Sequence, residues 1–380
     1  MPFQTDILII GGGLAGLTSA LHLHKAGLKI ILIEKNAYPH HKVCGEYISN
    51  EVLPYLEWLN VDINQLYPSI INRLQLSTVS GKSIFTNLPL GGFGISRYEF
   101  DNFLYQQLLD KGDKGVEIIE DTVSDVTFDN DIFSVHTLAG KEFTAKQVIG
   151  AYGKRSSIDI KLDRPFIKEK SPYLAVKAHY KGNFPDDLVA VHNFNGGYCG
   201  VSKVENQRIN ICYLADYATF KAHKNIETYQ QKVLYQNKHL EEIFENSEMI
   251  FDAPLTISQL AFGAKTAVVD HILLIGDTAG LIHPLCGNGM AMAIHSAKIC
   301  SELLLQFFDG DINSRVELEK QYTSLWNKQF RSRLKMGSIL SSILRKDKLT
   351  DVLLTGILKM PFIFQQIIKK THGKPLILNK

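Results

Sequence analysis

From Leu8 to Glu34 the chain reads as a strand, a glycine-rich turn, a helix and a second strand that ends in an acid. The strand Ile7-Leu8-Ile9-Ile10 runs straight into Gly11-Gly12-Gly13-Leu14-Ala15-Gly16, which fits G-x-G-x-x-G at Gly11, Gly13 and Gly16. The first glycine permits the tight turn, the second lets backbone approach a pyrophosphate, and the third lets helix and strand pack closely. The phosphate then rests on a helix N-terminus, where unpaired N–H groups and the helix dipole favour negative charge. The spacing predicts a helix over 14–25 with Gly27 as its stop, and a buried parallel strand over 28–33. Glu34 stands where an acid accepts hydrogen bonds from a ribose 2′-OH. The unit therefore binds a dinucleotide, and at this point nicotinamide and flavin are both open.

A chain of 380 residues is long enough for about two domains. Net charge is only +2 and no nucleic-acid-binding signature appears, so nucleic acid is not an expected partner. The five cysteines (Cys44, Cys199, Cys212, Cys286 and Cys300) are odd in number and form no C-x-x-C, which fits reduced cytoplasmic thiols and no metal site. No Lys or Arg precedes Asp6, and the first apolar run breaks into glycines. That pattern argues against a secretory signal, and no stretch has transmembrane length.

The charge is unevenly spread. Residues 329–380 carry eleven Lys/Arg against two Asp, leaving a net −7 for residues 1–328. In the same tail Leu334, Ile339, Leu340, Ile343, Leu344, Val352, Leu353, Ile357 and the run Met360-Pro361-Phe362-Ile363-Phe364 recur at helical spacing. Two readings stand side by side: a helical layer packed on the body with a solvated basic face, or a basic amphipathic helix in peripheral contact with the inner face of a membrane.

Strand signals dominate the middle of the chain, at 116–119, 122–128, 133–137 and 147–151. They continue at 174–180, 188–195, 198–204 and 208–214, where turn residues separate strands of an antiparallel sheet. Helical pattern covers 51–59, 101–111 and 225–244. A strand at 271–275 then runs into Gly276-Asp277-Thr278-Ala279-Gly280, with Pro284 and Gly287-Asn288-Gly289-Met290 following at the start of a long helix to Phe308.

This second glycine-acid segment resembles the FAD-dependent oxidoreductases of the aromatic hydroxylase (p-hydroxybenzoate hydroxylase-like) and geranylgeranyl reductase superfamily, and the likeness spans residues 1 to about 310. It implies FAD as cofactor, with Asp277 on the ribityl chain and Gly287 and Gly289 admitting the isoalloxazine. The helix start there suits the negative charge of a reduced ring. Taken alone, Asp277 reads equally as a helix N-cap. Ile95-Ser96-Arg97-Tyr98-Glu99-Phe100-Asp101 looks like the family segment whose arginine contacts FAD, with a surface salt bridge as the alternative for Arg97. Lys42-Val43-Cys44-Gly45-Glu46 is similar to a K-x-C-G segment beside the flavin, where Cys44 is either a reactive thiol or an inert small hydrophobe.

The chain also departs from the family. Gly150-Ala151-Tyr152-Gly153-Lys154-Arg155-Ser156 has tyrosine where hydroxylases have the acid of Gly-Ala-Asp-Gly, and Tyr198-Cys199-Gly200-Val201-Ser202-Lys203 keeps only the ends of the reductases' Tyr-x-Trp-x-Phe-Pro-Lys. The W-x-W-x-I-P of flavin-dependent halogenases is not present.

The resemblance implies a Rossmann-like α/β FAD-binding domain (1–70, 95–165 and 264–320), an inserted antiparallel-sheet substrate domain (71–94 and 166–263), and a C-terminal basic helical region (321–380). Cofactor contacts are expected from Gly11, Gly13, Ala15, Gly16, Glu34, Lys35, Lys42, Cys44, Arg97, Gly153, Gly276, Asp277, Gly287, Asn288, Gly289 and Met290. Tyr198, Tyr213 and Phe194 are expected to line a hydrophobic substrate site, with Cys44, His283 and Tyr198 as candidates for chemistry. The leading expectation is a monooxygenase, re-reduced transiently by NAD(P)H, acting on an aromatic or polyketide-like molecule. The alternatives are reduction of a C=C bond in an isoprenoid lipid and a non-catalytic flavin-binding redox sensor.

Overall fold

A computed structural model describes residues 3–110, 115–223, 225–344, 356 and 361–377. Two sheets organise the described residues. The first runs in the order Val268–Val269, Ile272–Leu274, Glu142–Gly150, Phe3–Ile10, Ile30–Glu34, Val116–Glu120, and the meander Val123–Asp129 and Ile132–Thr137 joins through Glu142–Gly150. Phe3–Ile10 pairs in parallel on both sides, with Ile7 opposite Ile30 and Ile10 opposite Gly150. Such a strand is buried on both faces, which explains its unbroken apolar run.

The helix Leu14–Lys25 follows at once, with Leu14, Leu17 and Leu21 buried on one face. Gly27 ends it at φ +84°, donating its N–H to the His24 carbonyl. This helix packs on the long helix Gly289–Phe308, where the buried Ser19 and Ser301 hydroxyls meet at 2.9 Å.

The second sheet runs in the order Ser247–Met249, Tyr173–Gly182, Ile209–Asp216, Gly197–Lys203, Leu188–Phe194, Ser69–Ser77, Ser83–Gly94, Tyr47–Ser49. Its pairings are antiparallel except for Leu188–Phe194 on Ser69–Ser77. One face is covered by the helices Ile226–Lys232 and Lys238–Glu245. There Val176, Ala178, Val201, Ile211 and Tyr213 form a core with Tyr229 and Leu240. The other face looks toward the first sheet.

The expected helix over 225–244 is interrupted, because Asn237 sits fully buried between its two halves. The Asn237 side-chain amide donates to Ser77 Oγ and to the carbonyls of Thr78 and Asn193, while its carbonyl oxygen accepts from His239 N–H. The expected helix from Gly287 starts at Gly289, since Gly287 holds φ +59° in the preceding turn. The helix expected over 101–111 begins instead at Arg97, with the Ser96 hydroxyl accepting from Glu99 N–H at 3.1 Å.

In the C-terminal region the helix Arg315–Leu344 buries Tyr322, Trp326, Phe330 and Leu334 in the main core. Leu334 thus packs inward, while Ile339 is exposed. Val352, Leu353, Ile357, Met360 and the side chains of Ile343, Leu344 and 361–364 lie outside the described residues. No helix among the described residues is long and apolar enough to cross a membrane.

The chain's end is tied to the body through one carboxylate. Glu51 is fully buried and accepts from Arg333 Nη1 (3.1 Å), Asn288 Nδ2 (3.2 Å) and the Gly373 N–H, and its own carbonyl accepts from Leu376 N–H at 2.8 Å. Removing one partner of a buried ion pair leaves an uncompensated charge. Arg333→Met is therefore expected to cost about 3–5 kcal/mol of unfolding free energy, and Glu51→Leu added to it should recover most of the loss; denaturant titration of the two variants checks this.

Candidate functional site

Sheet order decides what meets at the carboxyl ends of the parallel strands. Ile272–Leu274, Glu142–Gly150, Phe3–Ile10 and Ile30–Glu34 are neighbours, so Asp277, Gly153, the Gly11–Gly16 loop and Glu34 fall in a row along one edge. Ligands of open α/β sheets bind at that edge.

The glycines are required by contact. Gly11 has φ +104° and a Cβ there would meet the Ala151 carbonyl, while one on Gly16 would strike the Gly11 carbonyl. Gly12, which the motif leaves unspecified, is also sterically fixed, because a Cβ would collide with the Tyr38 hydroxyl that donates to its carbonyl. Glu34 is buried and its Oε2 accepts from Gly12 N–H at 2.7 Å, while Oε1 accepts from Asn36 N–H at 3.1 Å. Gly13 is different. Above it stand only cations, with Arg97 Nη2 3.4 Å and Lys42 Nζ 3.9 Å from an added Cβ. The helix that starts there has no side-chain cap and no acid in its first turn.

Arg97 and Lys42 are aimed by one carboxylate. Asp101 takes Arg97 Nε and Nη2 at 2.7 Å each and Lys42 Nζ at 2.9 Å. Burial pushes the Asp101 carboxyl up, but the two cations outweigh it and hold the group below the usual carboxylate range. Arg97 therefore belongs to a buried cluster, which decides against the surface-salt-bridge alternative.

The Gly276–Thr278 turn closes the row. Gly276 adopts φ +60° against Ala15, its N–H donates to Ser296 Oγ, and Gly153 N–H donates to Thr278 Oγ1 at 2.8 Å. Beyond it the helix Gly289–Phe308 begins without a side-chain cap, because the Asn288 side chain is engaged with Glu51. Gly287 lies against the Tyr47 ring and Met290 is buried in the core. Lys35 is exposed beside Glu34.

Opposite this row lies the inner face of the second sheet, whose register sets three cross-strand rows. These are Ala175, Leu214, Tyr198 and Asn193; then Lys177, Cys212, Gly200 and Val191; then His179, Asn210, Ser202 and Val189. Tyr198 packs with Leu281 and Leu285 from the first half and with Val43. Its hydroxyl is buried with no hydrogen-bond partner, and burial raises its pKa. The His283 ring touches Tyr198, Tyr173 and Phe262, and the last two line a cavity of about 260 Å³ with Leu260, His283 and Ser338. Tyr213 and Phe194 do not join them. Side chains alternate along a strand, and these two point to the opposite face, packed on Tyr229.

Glu46, Lys177 and His179 escaped the sequence reading. Glu46 is fully buried and accepts from Lys177 Nζ (2.5 Å), His179 Nε2 (2.6 Å) and Arg97 N–H (2.8 Å). Lys177 Nζ also donates to the Lys42 carbonyl, and Asn210 Nδ2 to the Cys44 carbonyl at 3.2 Å. The Lys42–Glu46 loop is thereby fastened to the second sheet. Cys44 is half-buried within it, and the nearby Cys212 thiol is pushed up to about 12 by burial. The available signal was the alternation of Lys177 and His179 with Val176, Ala178 and Tyr180.

Residues 6–59 match the FAD dependent oxidoreductase family and residues 201–346 the squalene epoxidase family. The conditioned medium factor receptor 1 of Dictyostelium discoideum is 22% identical over 89% of this chain and 70% of its own length. A digeranylgeranylglycerophospholipid reductase of Methanosarcina acetivorans is 24% identical over 94% of this chain and 89% of its own. The solved structure of a geranylgeranyl bacteriochlorophyll reductase-like protein of Thermoplasma acidophilum superposes with a TM-score of 0.76 at 19% identity, covering 99% and 97% of the two chains. The chain is similar along most of its length to FAD-dependent oxidoreductases and has the fold of the p-hydroxybenzoate hydroxylase and geranylgeranyl reductase-like flavoproteins. It is an FAD-dependent oxidoreductase enzyme. The residues present fit FAD: Gly13 leaves an open side beneath two cations, and two helix N-termini lack side-chain caps.

Gly13 has an alanine-compatible φ of −82° and room for a methyl in the cofactor-free chain. Gly13→Ala should change stability by less than about 1 kcal/mol, yet weaken FAD binding about tenfold or more by filling the space the pyrophosphate approaches; thermal melts and flavin fluorescence quenching separate the two effects. In the other half, burial raises Glu46, and Lys177 with His179 outweighs it, so the carboxyl lies below its ordinary value. Its contribution to stability is therefore present above the ordinary carboxylate range and lost as pH falls through the depressed value. Glu46→Gln should cost about 3–5 kcal/mol at neutral pH, by stranding the Lys177 charge, and should lose less on acidification than the native chain; unfolding at neutral and acidic pH gives both numbers.

Proposed function

We propose that this flavoprotein reduces a C=C bond in a polyprenyl or other isoprenoid lipid. The observation that carries the reading is the cavity at the seam of the two halves, which is walled by Tyr173, Leu260, Phe262 and His283 and backed by Tyr198, Leu214 and Leu281. The aromatic and aliphatic part of this space suits an unsaturated hydrocarbon chain, while Glu169, Lys170, Ser171, Ser338 and Ser342, which also line it, offer contacts to a polar headgroup. Relatives named as digeranylgeranylglycerophospholipid reductases span nearly the whole chain and support it. The reading takes precedence over the monooxygenase expected from the sequence.

Bound and reduced FAD would supply the hydride for the double bond, the accompanying proton would come from solvent, and NAD(P)H is the proposed electron donor. The protein's own residues do the rest. Tyr198, its pKa raised by burial, keeps its proton and offers the chain's polar neighbours a hydrogen-bond donor. Aromatic walls exclude water, and Asp101 holds Arg97 and Lys42 on the phosphate side. Glu46, Lys177 and His179 keep the Lys42–Glu46 loop in place. The exposed Lys369 and Lys370 close the helix Pro361–Thr371 and would face anionic headgroups from which such a lipid is drawn.

A second reading has one specific support. The squalene epoxidase match covers the Gly276–Asp277 turn and part of the substrate-side sheet, which keeps oxygen transfer to a hydrophobic molecule open. Oxygen separates the two. We expect the NADPH- or dithionite-reduced protein to saturate a geranylgeranyl lipid in sealed anaerobic vials, faster from anionic than from neutral vesicles, with the saturated product read by mass spectrometry. Product that appears only with oxygen and carries an added oxygen atom would overturn the reductase in favour of the monooxygenase.

A further inference from the structure

The two turns that close one end of the cofactor row are joined from behind by buried cations that the sequence motifs do not include. Lys265 follows the short strand Gly263–Ala264, which pairs with Gly280–Leu281 and so brings Lys265 beneath the Gly276–Thr278 turn. Its Nζ donates to the Lys154 carbonyl and to the Asp277 carbonyl, both at 3.0 Å. One ammonium thus bridges the loop after Gly153 and the residue implied to hold the ribityl chain. Beside it, the buried Arg164 donates to Asp159 Oδ1 (2.8 Å), the Thr278 carbonyl (2.9 Å) and the Thr266 carbonyl (3.1 Å). Phe166 roofs both cations, with its ring centroid 4.0 Å from Lys265 Nζ and 5.0 Å from the Arg164 guanidinium carbon.

Arg164 has a carboxylate partner, whereas the two hydrogen-bond acceptors of Lys265 are neutral carbonyls. The charges facing Lys265 are the Asp277 carboxylate on the turn, Asp159 on the helix Ser157–Lys161, Arg164 ahead of the turn Pro165–Lys168, and Lys154 on the loop. Two carboxylates stand against two cations, so the surroundings offer little net field to keep a third cation charged.

We propose that Lys265 is a positioning residue for FAD whose charge couples cofactor affinity to pH. As the ammonium it draws the Lys154 and Asp277 carbonyls together and places a positive charge behind the crevice; as the amine it loses that charge and one of its firm donors. The proposal rests on the assignment of the crevice to FAD. Lys265 is half-buried with its ammonium end enclosed, and that desolvation, with Arg164 and Lys154 adding and the two carboxylates opposing, brings its pKa down to about 8.

The sign follows from linkage. FAD carries a pyrophosphate anion, which favours the ammonium, so binding raises the Lys265 pKa and affinity must fall as the cofactor-free protein loses that proton. The fold responds in the opposite direction. A lysine whose pKa is depressed binds fewer protons folded than unfolded, so its contribution to the stability of the cofactor-free chain rises over the same alkaline window. A lysine with a merely structural role would not weaken FAD binding while the fold gains stability.

The test uses the full chain stripped of FAD, with FAD itself as probe. Affinity is read by quenching of flavin fluorescence between about pH 7 and about pH 9 for the native chain, Lys265→Arg and Lys265→Met. A one-unit rise in the Lys265 pKa on binding corresponds to about fivefold weaker native affinity at about pH 9 than at about pH 7, approaching tenfold only above both pKa values. Lys265→Arg, charged throughout, should stay level within about twofold. Lys265→Met should bind weakly and without slope, while its cofactor-free melting temperature near neutral pH is not lowered. A level native profile, or a native-like slope in Lys265→Met, overturns the proposal; the comparison of native chain with Lys265→Arg decides even if Lys265→Met does not fold. Failure of the native chain to bind FAD at every pH would instead overturn the FAD assignment, and the proposal with it.

Discussion

The parallel pairing of Phe3–Ile10 on both of its edges is the constraint on which the rest depends. Because that strand lies between Ile30–Glu34 and Glu142–Gly150, turns separated by more than a hundred residues open side by side at one edge. Ile10 opposite Gly150 puts Ala151 directly over Gly11, which is why Gly11 cannot carry a side chain, while Gly16 is barred by the Gly11 carbonyl. Leu274 opposite Gly150 then brings Asp277 into the same line. The cofactor row is a consequence of strand order, and Gly11 and Gly16 mark where two backbones would otherwise overlap.

Charge management follows from that geometry. A site for a pyrophosphate must hold cations in place before the anion arrives, and buried cations without partners are unstable. Asp101 resolves the conflict by taking both Arg97 and Lys42, leaving one net positive charge over Gly13. Glu46 plays the corresponding part on the other side. It neutralises Lys177 at the seam and at the same time accepts from the Arg97 backbone. The phosphate side and the substrate side are therefore connected through adjacent acids, Glu46 and Asp101, that both contact Arg97.

Sequence made the first part of this legible and concealed the second for a physical reason. The glycine turn, the helix 14–25 and the Gly276–Asp277 turn depend on local backbone requirements, which leave motifs. The substrate face depends on which side of a strand a residue occupies and on partners from distant segments. Tyr198 and Tyr213 look alike in a β-rich stretch, yet alternation sends them to opposite faces, and Phe194 goes with Tyr213. Lys177 and His179 could be seen to share a face, but nothing local showed that Glu46 would meet them. Asn237 was hidden for the same reason, since its three acceptors come from two other strands and the turn after one of them.

The two halves also differ in how they are held together, and that difference bears on what can move. Along the cofactor row the short contact of Gly153 with Thr278 is reinforced by Lys265 and Arg164, which reach the carbonyls of Lys154, Asp277 and Thr278. Across the seam the Lys42–Glu46 loop is held by the long side chains of Lys177 and Asn210 reaching the carbonyls of Lys42 and Cys44. Beside it, the His283 ring packs against those of Tyr173, Tyr198 and Phe262. An apolar chain entering there displaces ring contacts that water-excluding packing can rebuild around it. The cofactor edge, by contrast, could yield only by breaking the parallel ladder. The seam therefore adapts at the Tyr173–Phe262–His283 wall, whereas cofactor placement is set by the strand order.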